Sequence, residues 1–181
     1  MKITQAPLEG LIIIEPKIFE DTRGYFFEAY QENRYTDLGM PAFVQDNVSY
    51  SKKNVLRGLH YQFPQTQGKL VSVSRGEVWD VVVDVRRDSK TFGQWFGITL
   101  SESNHTQMYI PPGFAHGFCV LSDEAYFHYK CTTFYAPHCE KGLRWNDSRI
   151  NIPWPIKNPI ILPKDESYPT LDEIQYDELP A

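Results

Sequence analysis

Two stretches in the middle of the chain alternate in a way that constrains the fold more than any other feature. In Lys69–Arg75 (KLVSVSR), Val71 and Val73 share one side, and in residues 77–85 (EVWDVVVDV) every second side chain is apolar. A period of two is that of a β-strand, whose successive side chains point to opposite faces. Gly76 lies between the two runs as a turn residue. The pattern predicts an antiparallel β-hairpin.

Further short strands are predicted downstream, separated by Gly, Pro, Asn or Asp. They are residues 92–100, 107–110, 116–121 and 126–134. Many short strands with turn signals are typical of a sandwich or barrel, and an aromatic content of 14% favours strands. A length of 181 residues suits one domain. We predict a mainly β domain with short peripheral helices at residues 31–38 and 171–176 and a proline-rich, extended segment at residues 152–169.

The acidic residues are concentrated at the C-terminus. The formal net charge is −5, but the segment from Asp165 onward holds six acidic residues and no Lys or Arg, so residues 1–164 sum to −5 + 6 = +1. A nucleic-acid-binding surface needs a basic excess, so this class of function is not expected. A nearly neutral body still allows a pocket in which Arg and Lys bind a small anion.

The cysteine count and the hydropathy pattern bear on the cellular compartment. The three cysteines, Cys119, Cys131 and Cys139, leave one over from any intramolecular pairing and form no disulfide framework. The apolar run at residues 11–14 is too short for a secretory signal, and no segment is long enough to span a membrane. We therefore expect a cytoplasmic protein with no membrane partner.

Two histidines stand near glycines on either side of the predicted hairpin. His116 completes Pro111-Pro112-Gly113-Phe114-Ala115-His116, which fits the P-x-G-x-x-H pattern of cupin jelly rolls. Metal-binding cupins also carry an H-x-H pair, whereas here His60 is followed by Tyr61 and Gln62. The spacings of His116 to Cys119 and of His128 to Cys131 would place each pair on opposite faces of a strand, so no metal site is expected.

Without a metal, His60 has two interpretations. Histidine is the natural proton acceptor at neutral pH, because its unperturbed pKa is about 6.5. A buried histidine also often fills a hydrogen-bonded position in the core. The residues alone leave both open.

Several separate motifs resemble those of the dTDP-4-dehydrorhamnose 3,5-epimerase family. Besides the two histidine motifs, they are Asp21-Thr22-Arg23-Gly24-Tyr25-Phe26-Phe27-Glu28, Phe43-Val44-Gln45-Asp46-Asn47-Val48-Ser49, Gly68-Lys69-Leu70-Val71 and Thr91-Phe92-Gly93-Gln94-Trp95. The resemblance runs from about Gly10 to Asp165, in the order of the family. It implies a cupin-like jelly-roll β-sandwich over residues 1–181, with the acidic tail 165–181 packing on or near the site.

The resemblance implies a proton-transfer site of four residues. His60 matches the base that removes the protons at C3 and C5 of a 4-keto sugar, and Asp165 matches the carboxylate paired with it. Tyr129 matches the acid that returns a proton to the opposite face. Lys69 matches the lysine near the C4 oxygen, where a cation stabilises the enolate. No cofactor is implied.

The resemblance also implies a set of substrate contacts. They are Arg23, Glu28, Gln45, Asp46, Asn47, Arg57, His116, Tyr135, Glu140 and Lys164. Tyr135 matches an aromatic that stacks on thymine, and arginine suits bidentate phosphate binding. Strict alternation would place Arg57 and His60 on opposite faces of a strand. Both reach one pocket only if Gly58 introduces a bulge or bend.

The implied reaction converts dTDP-4-dehydro-6-deoxy-D-glucose to dTDP-4-dehydro-L-rhamnose by double epimerisation, with a dTDP-sugar as the only small-molecule partner. One alternative is an epimerase that inverts a single carbon of a related 4-keto sugar nucleotide. A metal-dependent cupin and a non-catalytic sugar-binding cupin are further alternatives. The family analogy also implies a homodimer, in which the N-terminal strands and the apolar run at residues 11–14 would join the partner's sheet.

Overall fold

The computed structural model describes all 181 residues, which form thirteen strands, two short α-helices and three 3-10 helices. The strands are β1 (Lys2–Gln5), β2 (Ile12–Glu15), β3 (Phe19–Asp21), β4 (Gly24–Phe26), β5 (Gln45–Lys52), β6 (Leu56–Gln62), β7 (Lys69–Arg75), β8 (Glu77–Asp84), β9 (Trp95–Ser101), β10 (Gln107–Ile110), β11 (Phe114–Val120), β12 (Glu124–Cys131) and β13 (Glu140–Gly142). The α-helices are α1 (Glu32–Thr36) and α2 (Pro163–Glu166), and the 3-10 helices are Pro137–Cys139, Leu171–Glu173 and Tyr176–Glu178. None of these helices approaches the length and apolarity needed to traverse a bilayer.

Two antiparallel sheets dominate the fold. One has six strands in the order β1-β2-β10-β7-β12-β5, and the other has five in the order β13-β6-β11-β8-β9. Strands β3 and β4 form a separate two-stranded ribbon. This arrangement confirms the predicted mainly β, cupin-like sandwich with short peripheral helices.

The main core lies between the sheets. Val71 and Val73 from β7 and Val78 and Val82 from β8 belong to one cluster of 15 buried apolar residues, together with Phe127 from β12. The side chains on the other face of β8 pack in a second cluster on the outer side of the five-stranded sheet. The predicted alternation is therefore confirmed, since alternate side chains of these strands face different apolar layers.

The predicted hairpin is wrong, although its two strands exist. Strand β7 pairs with β10 and β12, whereas β8 pairs with β11 and β9 in the other sheet. Gly76 is the corner between the sheets: its φ is +80°, and a Cβ atom there would lie 2.0 Å from the carbonyl oxygen of Glu124. Alternation specifies which side chains face the core, but it does not specify the hydrogen-bonding partner, and two strands facing one core from opposite sheets show the same pattern.

The predicted helices are short and peripheral. In α1 the side chain of Gln31 caps the helix by accepting a hydrogen bond from the backbone N–H of Arg34 at 2.7 Å. The tail helix predicted at residues 171–176 is a 3-10 turn, Leu171–Glu173. The segment predicted to be extended, residues 152–169, also contains α2, whose first residue is Pro163.

The apolar run at residues 11–14 lies inside its own sheet. Strand β2 pairs with β1 on one side and β10 on the other, and Leu11 and Ile14 are fully buried. Because both edges of this strand are already paired, the expectation that the run joins a partner's sheet is wrong. Strand β1 is the one that lies at the edge of the sheet.

The C-terminal segment covers the outer face of the five-stranded sheet. Ile150, Ile152, Leu171 and Leu179 pack in the second apolar cluster with residues of β6 and β8. The tail thereby brings α2 alongside β6, where Asp165 is buried and contacts Gly58 and His60.

Candidate active site

A cleft opens between the two sheets and is lined from both sides. Its inner part, a cavity of about 170 Å³, is lined by Ser49, Arg57, His60, Lys69, His116, Gly117, Phe118, Phe127 and Tyr129. Its outer part, about 330 Å³, shares His60, Lys69 and Tyr129 with the inner part and is also lined by Gln45, Asn47, Tyr61, Gln62, Gln67, Cys131, Tyr135 and Glu140. We refer to the two together as the inter-sheet cleft.

His60 is paired with a buried carboxylate. Its Nε2 lies 2.9 Å from Oδ1 of Asp165, whose Oδ2 accepts a hydrogen bond from the backbone N–H of Gly58 at 3.0 Å. Burial acts to raise the pKa of Asp165, but the hydrogen bonds from His60 and Gly58 and the nearby charges hold it below its usual value. Asp165 is therefore a carboxylate at neutral pH, and Nδ1 of His60 is the nitrogen left for other partners.

The irregularity that the sequence required at Gly58 is present. His60 pairs with His116 and Arg57 pairs with Phe118, so three steps along β6 match two along β11. Gly58 has a φ of +112°, and a Cβ atom there would lie 2.6 Å from the carbonyl oxygen of His116. This bulge brings Arg57 and His60 to the same face, and both line the inner cavity.

Tyr129 and Lys69 reach the cleft from the opposite sheet. Tyr129 lies on β12 and Lys69 on β7, adjacent strands of the six-stranded sheet, whereas His60 lies on β6 of the five-stranded sheet. Burial raises the pKa of the Tyr129 phenol, so the group stays protonated at neutral pH. Burial lowers the pKa of Lys69, and the acidic neighbours Asp80 and Glu140 oppose this effect.

A second histidine–carboxylate pair lies deeper in the cleft. Nε2 of His116 lies 2.9 Å from Oδ2 of Asp80, and its ring stacks on Phe127 at a centroid distance of 5.8 Å. Asp80 is fully buried, and burial raises its pKa although His116 and Lys69 act in the opposite direction.

Glu140 binds three donors at the mouth of the cleft. Its Oε1 accepts from Lys164 Nζ at 2.5 Å and from the Tyr168 hydroxyl at 3.0 Å, and its Oε2 accepts a short hydrogen bond from Tyr135. Burial opposes ionisation, but the three donors together lower the pKa of Glu140 to about 2. Tyr135, Glu140 and Lys164 are thus brought together, as three of the predicted substrate contacts.

Strand β5 and its neighbours supply further predicted contacts. Gln45 and Asn47 line the outer cavity and are joined by a hydrogen bond of 3.1 Å. Nε of Arg57 donates to Ser51 at 2.9 Å, and its Nη2 donates to the carbonyl oxygen of Tyr50 at 3.1 Å. These bonds fix the guanidinium at the inner cavity.

Three predicted contacts lie away from the cleft in this chain. Asp46 has the opposite parity to Gln45 and Asn47, faces the outer surface and binds Lys130 at 2.8 Å. Arg23 is in the β3–β4 ribbon, where it binds Asp21 with its side chain 87% exposed. Glu28 binds Arg34 at 3.0 Å.

Sequence reasoning missed Asp80, Ser49 and Tyr168. Asp80 stands out as an acid in a valine-rich strand, and that contrast could have indicated a buried partner. The hydroxyl oxygen of Ser49 is enclosed in the protein without a hydrogen-bond partner, beside the inner cavity. Tyr168 lies in the proline-rich segment, where no periodicity signals what a side chain contacts.

The cysteines are buried and unpaired, as predicted for small apolar side chains. His116 and Cys119 lie on β11, three residues apart. No group of three or more His, Cys, Asp or Glu side chains is arranged to hold a metal ion.

Fold and site together define a class of protein. A jelly-roll sandwich in which His60, paired with Asp165, and Tyr129 line one cleft from opposite sheets is a cupin-like protein whose cleft holds groups suited to acid–base chemistry. The family model described as dTDP-4-dehydrorhamnose 3,5-epimerase matches residues 5–173. The chain therefore belongs to the dTDP-4-dehydrorhamnose 3,5-epimerase family.

Individual relatives agree with the match to the family model. The chain is 51% identical over 168 residues to a dTDP-4-dehydrorhamnose 3,5-epimerase of Shigella flexneri, covering 91% of this chain and 93% of that protein. It is similar, with a TM-score of 0.96 and 51% identity over 99% of this chain and 97% of the other, to a crystal structure of a dTDP-6-deoxy-D-glucose-3,5-epimerase from Legionella pneumophila in complex with dTDP-4-keto-L-rhamnose. A dTDP-4-dehydrorhamnose 3-epimerase of Streptomyces niveus is 37% identical over 169 residues, covering 92% of this chain and 82% of that protein.

Proposed function

We propose that this protein inverts C3 and C5 of dTDP-4-dehydro-6-deoxy-D-glucose, with His60 as the base and Tyr129 as the acid. The observation that carries the proposal is that the two side chains line one cleft from opposite sheets. Inversion at carbon requires a proton to leave one face and arrive at the other. A base and an acid on facing walls meet that requirement, whereas a single group would tend to return the proton to the face it came from.

His60 has the geometry of a general base. Asp165 accepts from Nε2, which fixes the tautomer and leaves Nδ1 to take a proton from carbon. The imidazolium formed in that step is stabilised by the adjacent carboxylate. Because the C4 ketone acidifies both neighbouring C–H bonds, one base serves C3 and C5 in turn.

Lys69 is suited to the C4 oxygen. Its side chain lines both parts of the cleft next to Tyr129. An ammonium group there stabilises the enolate, and a lowered pKa makes the group a better proton donor to that oxygen. A single oxyanion donor is typically worth about 10²- to 10³-fold in rate. No redox step is needed at any stage.

The nucleotide contacts are proposed as a set. Arg57 suits a phosphate oxygen, and the exposed ring of Tyr135 suits stacking on the base. Gln45, Asn47, His116, Glu140 and Lys164 are further polar groups of the cleft and its mouth. The similar Legionella protein was crystallised with dTDP-4-keto-L-rhamnose, which supports a dTDP-sugar as ligand.

We further propose a homodimer in which Arg23 and Glu28 serve the cleft of a second copy. In one chain Arg23 is on an exposed ribbon that carries Phe19, Tyr25 and Phe26 at the surface, each more than half exposed. Exposed aromatic rings beside an arginine are typical of an interface. Sedimentation analysis with Phe26→Ser tests this, and a wild-type monomer would contradict it.

We also propose a cytoplasmic location, which suits three free cysteines.

Inversion of one carbon only is the alternative. The Streptomyces niveus relative is a 3-epimerase, so the family includes that activity. The higher identity to 3,5-epimerases, 51% against 37%, favours double inversion.

Solvent exchange distinguishes the two. The 4-keto nucleotide is incubated with enzyme in heavy water, and the product is analysed by mass spectrometry and NMR. We expect deuterium at both C3 and C5 with inversion at both carbons; label at C3 alone would indicate the single-carbon activity. Tyr129→Phe should still exchange protons but lose inversion, whereas Tyr126→Phe, on the outer face of the same strand, should match the wild type. Full inversion by Tyr129→Phe would disprove the assigned acid.

A further inference from the structure

The ring of Tyr168 lies against the imidazole of His60. The ring centroids are 5.7 Å apart and the planes cross at 77°, an edge-to-face contact. The hydroxyl donates to Glu140, and the carbonyl oxygen of Tyr168 accepts from Nε of Arg144 at 2.9 Å. The residue is thus held by both its side chain and its backbone next to the proposed base.

A glycine on the neighbouring strand makes room for this ring. Gly142 on β13 pairs with His60 on β6. A Cβ atom at Gly142 would lie 2.3 Å from the ring of Tyr168, and its three nearest atoms would all belong to that ring. Any other residue at this position would therefore displace the tyrosine from His60.

His60 needs a second constraint that Asp165 does not supply. Its one side-chain hydrogen bond runs from Nε2 to Asp165, and a ring held at a single nitrogen can still turn about that bond. A base must keep its free nitrogen within hydrogen-bond reach of the proton it removes. The ring of Tyr168 limits this rotation by contact with one side of the imidazole.

We infer that Tyr168 is a positioning residue, which fixes the orientation of the His60 ring through the contact that Gly142 permits. The inference rests on the proposed role of His60 as the base. Through its hydroxyl, Tyr168 also joins the base to Glu140 and so to Lys164 and Tyr135 at the mouth of the cleft. Ring contact supplies the positioning, and the ring is held mainly by its packing against Gly142 and by the backbone bond to Arg144, with the hydroxyl bond as a lesser restraint.

Ring and hydroxyl are separable by substitution. Tyr168→Leu removes the flat ring and should lower kcat for exchange about tenfold with KM within about twofold, since misplacement by 1 Å costs up to about 10²-fold. Tyr168→Phe keeps the ring and should stay within about twofold of the wild-type kcat. Tyr176→Leu, a tyrosine of the same tail that is 63% exposed and outside the cleft, is the control and should match the wild type.

A double-mutant cycle tests the role of Gly142. Gly142→Ala should lower kcat about as much as Tyr168→Leu. Combined with Tyr168→Leu it should cost nothing further, because the methyl group then has no ring to displace. Additive losses would show that Gly142 acts on something else.

The possible outcomes separate a failure of the positioning role of Tyr168 from a failure of the proposed function. Wild-type kcat in Tyr168→Leu, or an equal loss in Tyr168→Phe, would overturn positioning by the ring. A rise in KM without a fall in kcat would assign Tyr168 to binding instead. Absence of exchange in the wild-type protein would overturn the proposed function, whereas a nuclear Overhauser effect between the Tyr168 and His60 rings reports their contact whether or not the protein is active.

Discussion

His60 with Asp165 and His116 with Asp80 are two histidine–carboxylate pairs whose histidines lie on the adjacent strands β6 and β11, each with Nε2 at 2.9 Å from a carboxylate oxygen. Their surroundings differ. The side chain of His60 is 34% exposed, and Asp165 has a lowered pKa because a backbone N–H and the imidazole bind it. The side chain of His116 is 8% exposed, and burial raises the pKa of Asp80.

The comparison teaches that residue types and distance do not define a base. A base must reach a substrate, and its carboxylate must favour the charged imidazole that results. The first pair meets both conditions. The second is buried beside Lys69, whose charge already acts on Asp80, and the role we propose for it is to hold a polar group of the substrate.

The largest expected effect separates the two histidines. His60→Ala should reduce exchange at C3 and C5 by about 10³- to 10⁴-fold, since it removes the proposed general base. His116→Ala should mainly raise KM. Steady-state kinetics in heavy water measures both, with urea unfolding as a check that each variant is folded. Equal losses of kcat would abolish the distinction between the pairs.

A smaller effect is expected from the carboxylates. Asp165→Asn should lower kcat by about 10²-fold, because an amide neither selects the tautomer of His60 nor stabilises its charged form. Asp80→Asn should lower kcat by less than about tenfold and leave solvent exchange at both carbons intact. If Asp80→Asn proved the more damaging, the second pair would take part in the proton transfer.

The bulge that brings His60 to the cleft is expected to affect stability. Gly58→Ala should lower the free energy of unfolding by about 2–3 kcal/mol, because its φ of +112° is strained for alanine and the Cβ meets the backbone of His116. Gly39→Ala is the matched control: its φ is +85° with nothing within 4 Å of a Cβ, so about 1 kcal/mol is expected from the backbone alone. Urea unfolding measures both variants. Equal losses of stability would show that the structure relieves the close approach of the Cβ at residue 58 to the backbone of His116.

The smallest effect is a difference in pH dependence. Asp165 has a lowered pKa, so it contributes stability above its unfolded value of 3.8 that is lost as the pH falls through the folded value. Asp80 has a raised pKa, so it costs stability as the pH rises from 3.8 through its folded value. Relative to the wild type, Asp165→Asn should lose less stability as the pH falls, and Asp80→Asn should lose less stability as the pH rises. Urea unfolding of the wild type and both variants from pH 3 to pH 7 tests this. If the two substitutions changed the slope of the unfolding free energy against pH in the same direction, the prediction would be contradicted.

Much of the site could be predicted because it is tied to motifs. The family resemblance supplied His60, Tyr129, Lys69 and Asp165, and local alternation supplied the need for a bulge at Gly58, which β6 contains. Asp80 and Tyr168 were missed because their partners are 36 and 108 residues away along the chain, and no local pattern specifies which distant residue such a side chain contacts.

The sequence by itself determined the strand class, the two faces of β7 and β8, and the family, since periodicity and motif order are properties of neighbouring residues. Only the tertiary structure decided that these strands lie in different sheets, with Gly76 as the corner between them. It also decided that Tyr168 lies against His60 and that Asp46 and Arg23 face away from the cleft. Sheet partners and long-range contacts depend on how both apolar faces are buried at once, and that is a property of the whole chain.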